Sequence, residues 1–253
     1  MQQRQTPKSV LITGASKRIG RDIALKLAGA GYRVALHYGH AADEARALQK
    51  EITDAGGVAA ALAGDLADPR SSEVIVARAA HEIGPLGLLV NSAAIFEGDS
   101  ITNLDLDLWR RQFAINLETP VFLSAAFAKA LPEAMGGAIV NIVDCRVLRL
   151  NPRNLSYTLA KSALWTATRT LAQALAPRIR VNAVGPGPTY PNSRDGEAGL
   201  MIETAGVLLQ QRVSGADIAD AVLYLAGARN VTGQMIAVDA GQHLAWRTPD
   251  VAE

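Results

Sequence analysis

The sequence predicts an α/β fold: a single-domain, doubly wound parallel sheet with helices on both faces. Three observations carry this expectation. Short apolar segments such as residues 9–13 and 86–90 read as near-continuous hydrophobic runs, the pattern of strands buried on both faces. The stretches between them place apolar residues at helical spacing, so the crossovers are helical and the strands parallel. The chain has 253 residues, 49% of them hydrophobic, enough for one sizeable core at a length where α/β folds are often one domain.

The elements follow in order. Residues 9–13 form a first strand. Residues 19–30 carry Ile19, Ile23 and Leu27 on one helical face and stop at Gly31, a normal helix terminator. A second strand covers 32–37, and a helix covers 41–55, ended by Gly56 and Gly57. Residues 58–63 are a third strand. Asp68 and Pro69 then open a helix as N-cap and first helical residue. After the strand at 86–90, a long helix is expected over about 106–131. A strand at 138–143, a helix at 154–175, a strand at 179–184, a helix at 214–225 and a last strand at 234–238 complete the alternation. With right-handed crossovers this is a Rossmann-type sheet, one domain over residues 1–253 with a flexible start at 1–7. Residues 186–199 are rich in Gly, Pro, Asn and Ser. A loop after a late strand lies at the carboxyl edge where ligands bind, so 186–212 is the candidate substrate lid; an ordinary surface loop has the same composition.

The bulk properties exclude several function classes. Net charge is +1 and only 19% of residues are charged, so no global field draws the protein to nucleic acid or to a membrane surface. Cys145 is the one cysteine, which forbids an intrachain disulfide and points away from an oxidising compartment. No Cys or His spacing suggests a metal site. Residues 1–9 contain no apolar core of a signal peptide, and no apolar run approaches the roughly 20 residues of a spanning helix. The expectation is a cytoplasmic protein.

The segment TGASKRIG, Thr13 to Gly20, joins the first strand to the first helix. A glycine-containing turn there lets backbone N–H groups and a helix N-terminus face a pyrophosphate, a job that fits Gly14 and Gly20. A ribose 2′-hydroxyl is usually held by an acid at the end of the second strand. That strand instead ends His37-Tyr38-Gly39-His40, with no carboxylate before Asp43, while Lys17 and Arg18 sit in the turn. A 2′-phosphate wants cations, so the expected cofactor is NADP(H). Lys17 and Arg18 would read equally as solvated turn residues in isolation. Asp65, followed by Leu66, comes after the third strand; it either accepts from an adenine amino group or caps the coming helix.

Tyr157 and Lys161 are four apart on one helix face. A free phenol is a poor acid–base group at neutral pH, and a nearby ammonium favours phenolate. The pair therefore suits proton transfer to a substrate that takes a hydride. Asp144 lies thirteen residues before Tyr157, just after the fifth strand.

With TGASKRIG, Asp65-Leu66, Asn91-Ser92-Ala93-Ala94, Asn116, Tyr157-x3-Lys161, Pro186-Gly187 and the closing VTGQMIAVDAG, the chain resembles the short-chain dehydrogenase/reductases over nearly its whole length. The resemblance implies that Gly14, Lys17, Arg18, Ile19, Gly20, His37, Tyr38, Asp65 and Leu66 contact the cofactor. It implies that Asn91 and Ala93 flank it after the fourth strand, and that Pro186, Gly187 and Thr189 cover the nicotinamide side. It makes Tyr157 and Lys161 catalytic and gives Asn116 a water in a proton relay with them. Three positions depart from the family pattern. Arg18 replaces a glycine, Ser92 and Ala94 alter the Asn-Asn-Ala-Gly stretch, and Asp144 stands where the catalytic serine belongs.

An ionised aspartate cannot donate to a carbonyl oxygen and repels a developing alkoxide. It can accept from the N–H groups of a nitrogen-rich substrate, or relay protons beside a C=N bond. Asp144 can also be a turn cap in an enzyme that lost its serine. Within the family the arrangement is similar to the pteridine reductases and the related dihydromonapterin and dihydrofolate reductases, which share the Lys17-Arg18 and His37-Tyr38 pairs. That resemblance implies that Phe96 stacks on the pterin. The expected activity is hydride transfer from NADPH to a pterin C=N bond, with Tyr157, Lys161, Asp144 and Asn116 catalytic. The alternatives are a carbonyl reductase of the same family and a weakly catalytic NADP(H)-binding sensor. Cys145 reads as an inert small residue, and Arg146, Arg149 and Arg153 as a solvated face, with one of them meeting an anionic substrate tail as the other possibility. The resemblance further implies a homotetramer or homodimer built through the long helices, with residues 243–253 reaching a neighbouring subunit.

Overall fold

The computed structural model describes residues 4–192 and 195–246. Among these, seven parallel strands form one sheet in the order β3-β2-β1-β4-β5-β6-β7. They are β1 (Ser9–Ile12), β2 (Arg33–Tyr38), β3 (Ala59–Ala63), β4 (Leu88–Asn91), β5 (Gly137–Ile142), β6 (Ile179–Pro186) and β7 (Met235–Val238). The chain winds outward from β1 to β3, then returns past β1 and winds the other way. The crevice between the carboxyl ends of β1 and β4 is the topological switch point, where such sheets bind ligands.

Eight α-helices cover the sheet: α1 (Arg18–Gly29), α2 (Ala42–Asp54), α3 (Ser72–Ile83), α4 (Leu106–Phe113), α5 (Thr119–Ala130), α6 (Leu155–Leu175), α7 (Gly196–Ala205) and α8 (Gly215–Gly227). Successive strand residues point to opposite faces. Val10, Ile12, Leu88 and Val90 pack with Ile23 and Leu27 of α1 and Val222 of α8. Leu11, Leu89 and Ile139 pack on the other side with Ile75 of α3 and Phe127 of α5. Two cores thus share one sheet, which is why the strands read as unbroken apolar runs. Ser214 and Asp217 close a reciprocal capping box at the start of α8, and Asp68 caps the 3-10 turn that leads into α3.

Two expectations change. The long helix over 106–131 is broken by a π turn at Ala114–Glu118. Pro120 has no N–H, so it cannot make the α-helical bond to the carbonyl of Asn116, and the turn widens. Residues 4–7 are not a free tail: Gln5 bridges Met135, and its carbonyl accepts from the Gly136 N–H at 3.1 Å. Unpaired backbone groups at the foot of β5 recruit this segment; residues 1–3 lie outside the described residues. No helix among the described residues is long and apolar enough to cross a membrane.

Candidate active site

A cleft of about 570 Å³ opens at the switch point, lined from the turn after β1, the ends of β4 and β5, and the segment after β6. The turn after β1 is tight for a steric reason. Gly14 has φ of +63°, and a Cβ on it would come within 2.9 Å of the Ala93 backbone. A Cβ on Gly20 would strike the Gly14 carbonyl. Helix α1 starts immediately beyond. Its N-cap, Lys17, makes no side-chain cap bond, and the first turn carries no acid. The positive end of the helix and its unpaired N–H groups therefore face the cleft, a donor set that fits a dinucleotide pyrophosphate.

Lys17 and Arg18 diverge. The Lys17 ammonium pairs with Glu44 of α2 at 2.6 Å, which keeps it beside the end of β2. Arg18 turns across the cleft. Its guanidinium donates to the Tyr190 carbonyl at 3.3 Å and lies over the Tyr190 ring at 5.6 Å. Only Lys17 of the pair stands on the β2 side, where a 2′-phosphate belongs. Ile19, Ala93, Pro186, Gly187 and Thr189 all line the cleft, and Thr189 Oγ1 donates to the Gly187 carbonyl at 2.9 Å.

The other expected cofactor contacts lie outside the cleft. His37 is buried beneath the turn: its Nδ1 accepts from the Gly14 N–H at 3.4 Å, and Nε2 faces the Gly64 carbonyl at 3.2 Å. A carbonyl only accepts, so the Nε2 proton donates and the ring is neutral. Burial, outweighing the Gly64 bond, holds its pKa down to about 4. His37 thus supports the turn from below. Tyr38 closes β2, its carbonyl accepting from the Gly64 N–H at 3.0 Å. Asp65 Oδ1 accepts from the Ala67 N–H at 2.8 Å in a local turn, and the helix cap expected of it falls to Asp68. Leu66 is a core side chain whose carbonyl accepts from Thr119. Asn91 turns under the sheet to Asn141 and Pro120. For His37, Asp65, Leu66 and Asn91, backbone or core partners engage the side chain.

At the other end, Tyr157 donates to Asp144 Oδ2 at 3.0 Å. Asp144 Oδ1 accepts from the Arg146 N–H at 2.8 Å. The aspartate is therefore both a turn cap and the partner of the phenol. Burial first, then the Asp144 charge and hydrogen bond, raise the Tyr157 pKa well above its usual value. The expected shift toward phenolate is reversed, because burial of the phenol, and then the carboxylate beside it, favour the neutral form. Lys161 Nζ donates to the Ile142 carbonyl at 2.8 Å. Burial pulls its pKa down to about 8, opposed by Asp144. Asn116 is fully buried in the π turn. Its Oδ1 accepts from the Ile95 N–H at 3.3 Å, and Nδ2 donates to Ile95 and Gln112. Its side chain fixes the wall that carries Phe96 and does not reach the cleft. Phe96 packs on Tyr157 with ring centroids 4.7 Å apart and planes at 76°.

Glu203, Tyr190 and Gln242, which the sequence gives no reason to place here, also line the cleft, as does Arg146, one of the three arginines with two possible readings. Arg146 is no solvated residue: its side chain is 19% exposed and pairs with Glu203 of α7. Its place two residues after Asp144 is the signal that the sequence offers. Glu203 and Tyr190 carry none, since loop and helix packing alone brings them in. Cys145 is buried, with its thiol on Gln242 and its pKa raised by burial, an unreactive setting. The lid segment 186–212 contains α7, with Ser193 and Arg194 outside the described residues. Most of the 243–253 segment expected to reach a neighbour, residues 247–253, also lies outside the described residues.

A family model described as enoyl-(acyl carrier protein) reductase matches residues 14–243. An oxidoreductase of Methylorubrum extorquens is 36% identical, over 92% of this chain and 97% of its own. The 3-oxoacyl-(acyl-carrier-protein) reductase FabG of Staphylococcus aureus is 32% identical, over 94% and 98%. Among solved structures, FolM alternative dihydrofolate reductase 1 from Brucella canis, complexed with NADP, superposes with a TM-score of 0.93 at 48% identity, covering 96% of this chain and 97% of that one. A short-chain dehydrogenase/reductase from Serratia marcescens superposes at 0.88 and 30% identity, covering 95% and 100%. A glycine turn under a helix N-terminus, a buried tyrosine and lysine one helical turn apart, and relatives matched along their full length have one common explanation: the chain belongs to the short-chain dehydrogenase/reductase family of oxidoreductases.

Proposed function

We propose that this enzyme reduces a C=N bond of a pterin. It is an NADP(H)-dependent reductase, and the pterin is the inferred part. One observation carries the inference: Asp144 Oδ2 holds the Tyr157 phenol at 3.0 Å, where reduction of a ketone calls for a hydroxyl donor. The FolM and pteridine-type resemblance supports the same reading.

Gly14, Gly20 and the start of α1 hold the pyrophosphate, and Lys17 meets the 2′-phosphate. Bound NADPH supplies the hydride. Phe96 stacks against the flat heterocycle. Asp144 Oδ1 is committed to its turn, so Oδ2, released as the phenol turns to the ring nitrogen, accepts from an N–H of the pterin and orients the ring. Tyr157, kept protonated by burial and by Asp144, donates its proton to the ring nitrogen as the neighbouring carbon is reduced. The buried Lys161 ammonium then stands near the phenolate left behind, 5.8 Å from the Tyr157 ring centroid, and stabilises that anion in an apolar site.

The test is NADPH consumption by purified enzyme on matched panels of pterins and carbonyls, including dihydromonapterin, dihydrobiopterin, dihydrofolate and a 3-oxoacyl thioester. Turnover confined to the pterins is expected. Turnover only on the thioester, the substrate class in the FabG name, overturns the proposal. Tyr157→Phe is expected to cut kcat by about 10²-fold or more, the usual weight of a general acid, with NADPH affinity unchanged.

A further inference from the structure

Arg146 leaves the turn after β5, and its guanidinium stands 5.2 Å over the Phe96 ring. Its Nη2 also meets Glu203 Oε1 at 3.4 Å. The two side chains are 19% and 34% exposed and line the same cleft as Asp144 and Tyr157. Glu203 comes from α7, far from Arg146 in sequence. The contact is long for a charge-assisted bond, so each group keeps capacity for another partner while sitting in the other's field.

A carboxylate entering beside Arg146 would meet Glu203 at nearly the same range. Attraction and repulsion then largely cancel. An uncharged hydroxylated group meets no such opposition, because a hydroxyl can donate to Glu203 and accept from Arg146. We propose that the Arg146–Glu203 pair is a specificity filter beside Phe96, which admits pterins with an uncharged hydroxylated substituent and disfavours those with a carboxylate-bearing tail. The inference rests on the pterin reading above and narrows the substrate class of that site. A purely structural tether between α7 and the β5 turn would affect both kinds of substrate alike.

The test compares dihydromonapterin with dihydrofolate, which share the reducible ring and differ in the substituent. In the wild-type enzyme kcat/KM favours dihydromonapterin. Glu203→Gln lowers KM for dihydrofolate about tenfold, equivalent to about 1.4 kcal/mol, and raises the dihydromonapterin KM, because the neutral amide is a weaker acceptor for its hydroxyl. The double variant R146M/E203Q loses that gain. Wild-type NADPH affinity in each variant certifies the fold, and Glu203→Met serves as a second charge-removing variant. An unchanged ratio between the two substrates, or an equal change for both, overturns the filter and leaves the pterin reading standing. Thioester turnover with no turnover of either dihydropterin overturns the pterin reading, and the filter with it.

Discussion

Two residues show how local chemistry assigns roles in this site. Asp144 divides its oxygens between the Arg146 N–H and the Tyr157 phenol, so one carboxylate shapes the turn and sets the protonation of the acid. His37 is the other. It is buried, neutral and bonded to both Gly14 and Gly64, with its pKa lowered from 6.5 to about 4. A lowered pKa in the folded state means the unfolded chain binds the proton more readily. This contribution to stability is whole above pH 6.5, declines as the pH falls, and is gone below about 4. Its size is about 3 kcal/mol by linkage. Denaturant midpoints should therefore fall across that window. His37→Gln, whose amide can face the same two backbone groups, should flatten that dependence; an equal slope in the variant would assign it to other groups.

Two elements decide how the cleft is framed. The π turn at Ala114–Glu118 presents Asn116 to both backbone groups of Ile95, and so steadies the strand-exit segment that carries Phe96. The second is the strap after β6. Tyr190 donates to Asp22 of α1, and the guanidinium groups of Arg18 and Arg212 lie 5.6 and 5.8 Å from its ring centroid. This ties the strap to α1 across the cleft mouth. Tyr190→Phe keeps the ring and removes the hydroxyl. Loss of one charge-assisted bond, worth about 1.5 kcal/mol, should speed NADPH dissociation roughly tenfold in a stopped-flow displacement experiment. An unchanged rate would mean that the strap does not restrain the cofactor.

The whole molecule leaves apolar side chains facing outward on the helices that flank the site. Phe122 of α5 is 54% exposed and Leu159 of α6 is 42% exposed. Buried against a second copy, each would stabilise an assembly by about 1 kcal/mol or more. A homotetramer or homodimer through these helices is the expected state. Light scattering of the wild type should give a multiple of the 26.7 kDa chain mass. The Phe122→Glu, Leu159→Glu double variant should lower that mass while keeping its far-UV circular dichroism. A wild type that scatters as a monomer would refute the expectation.

The sequence by itself determined the sheet, the crossovers, the glycine turn and the Tyr157–Lys161 pair. Each of these rests on short-range periodicity or on residues a few positions apart, where chain geometry leaves little choice. It also marked Asp144 as unusual, through a family resemblance that puts a serine thirteen residues before the tyrosine. The tertiary structure decided which side chains remain for the cleft after backbone and core have taken theirs. Asp65 went to a turn, Asn91 to a pair under the sheet, His37 to the glycine turn and Asn116 to Ile95, because buried or local polar groups must be paired first. It also brought Glu203 to Arg146 and Tyr190 to Asp22. Those contacts join residues 57 and 168 positions apart, and no periodicity in the chain encodes a meeting at that distance.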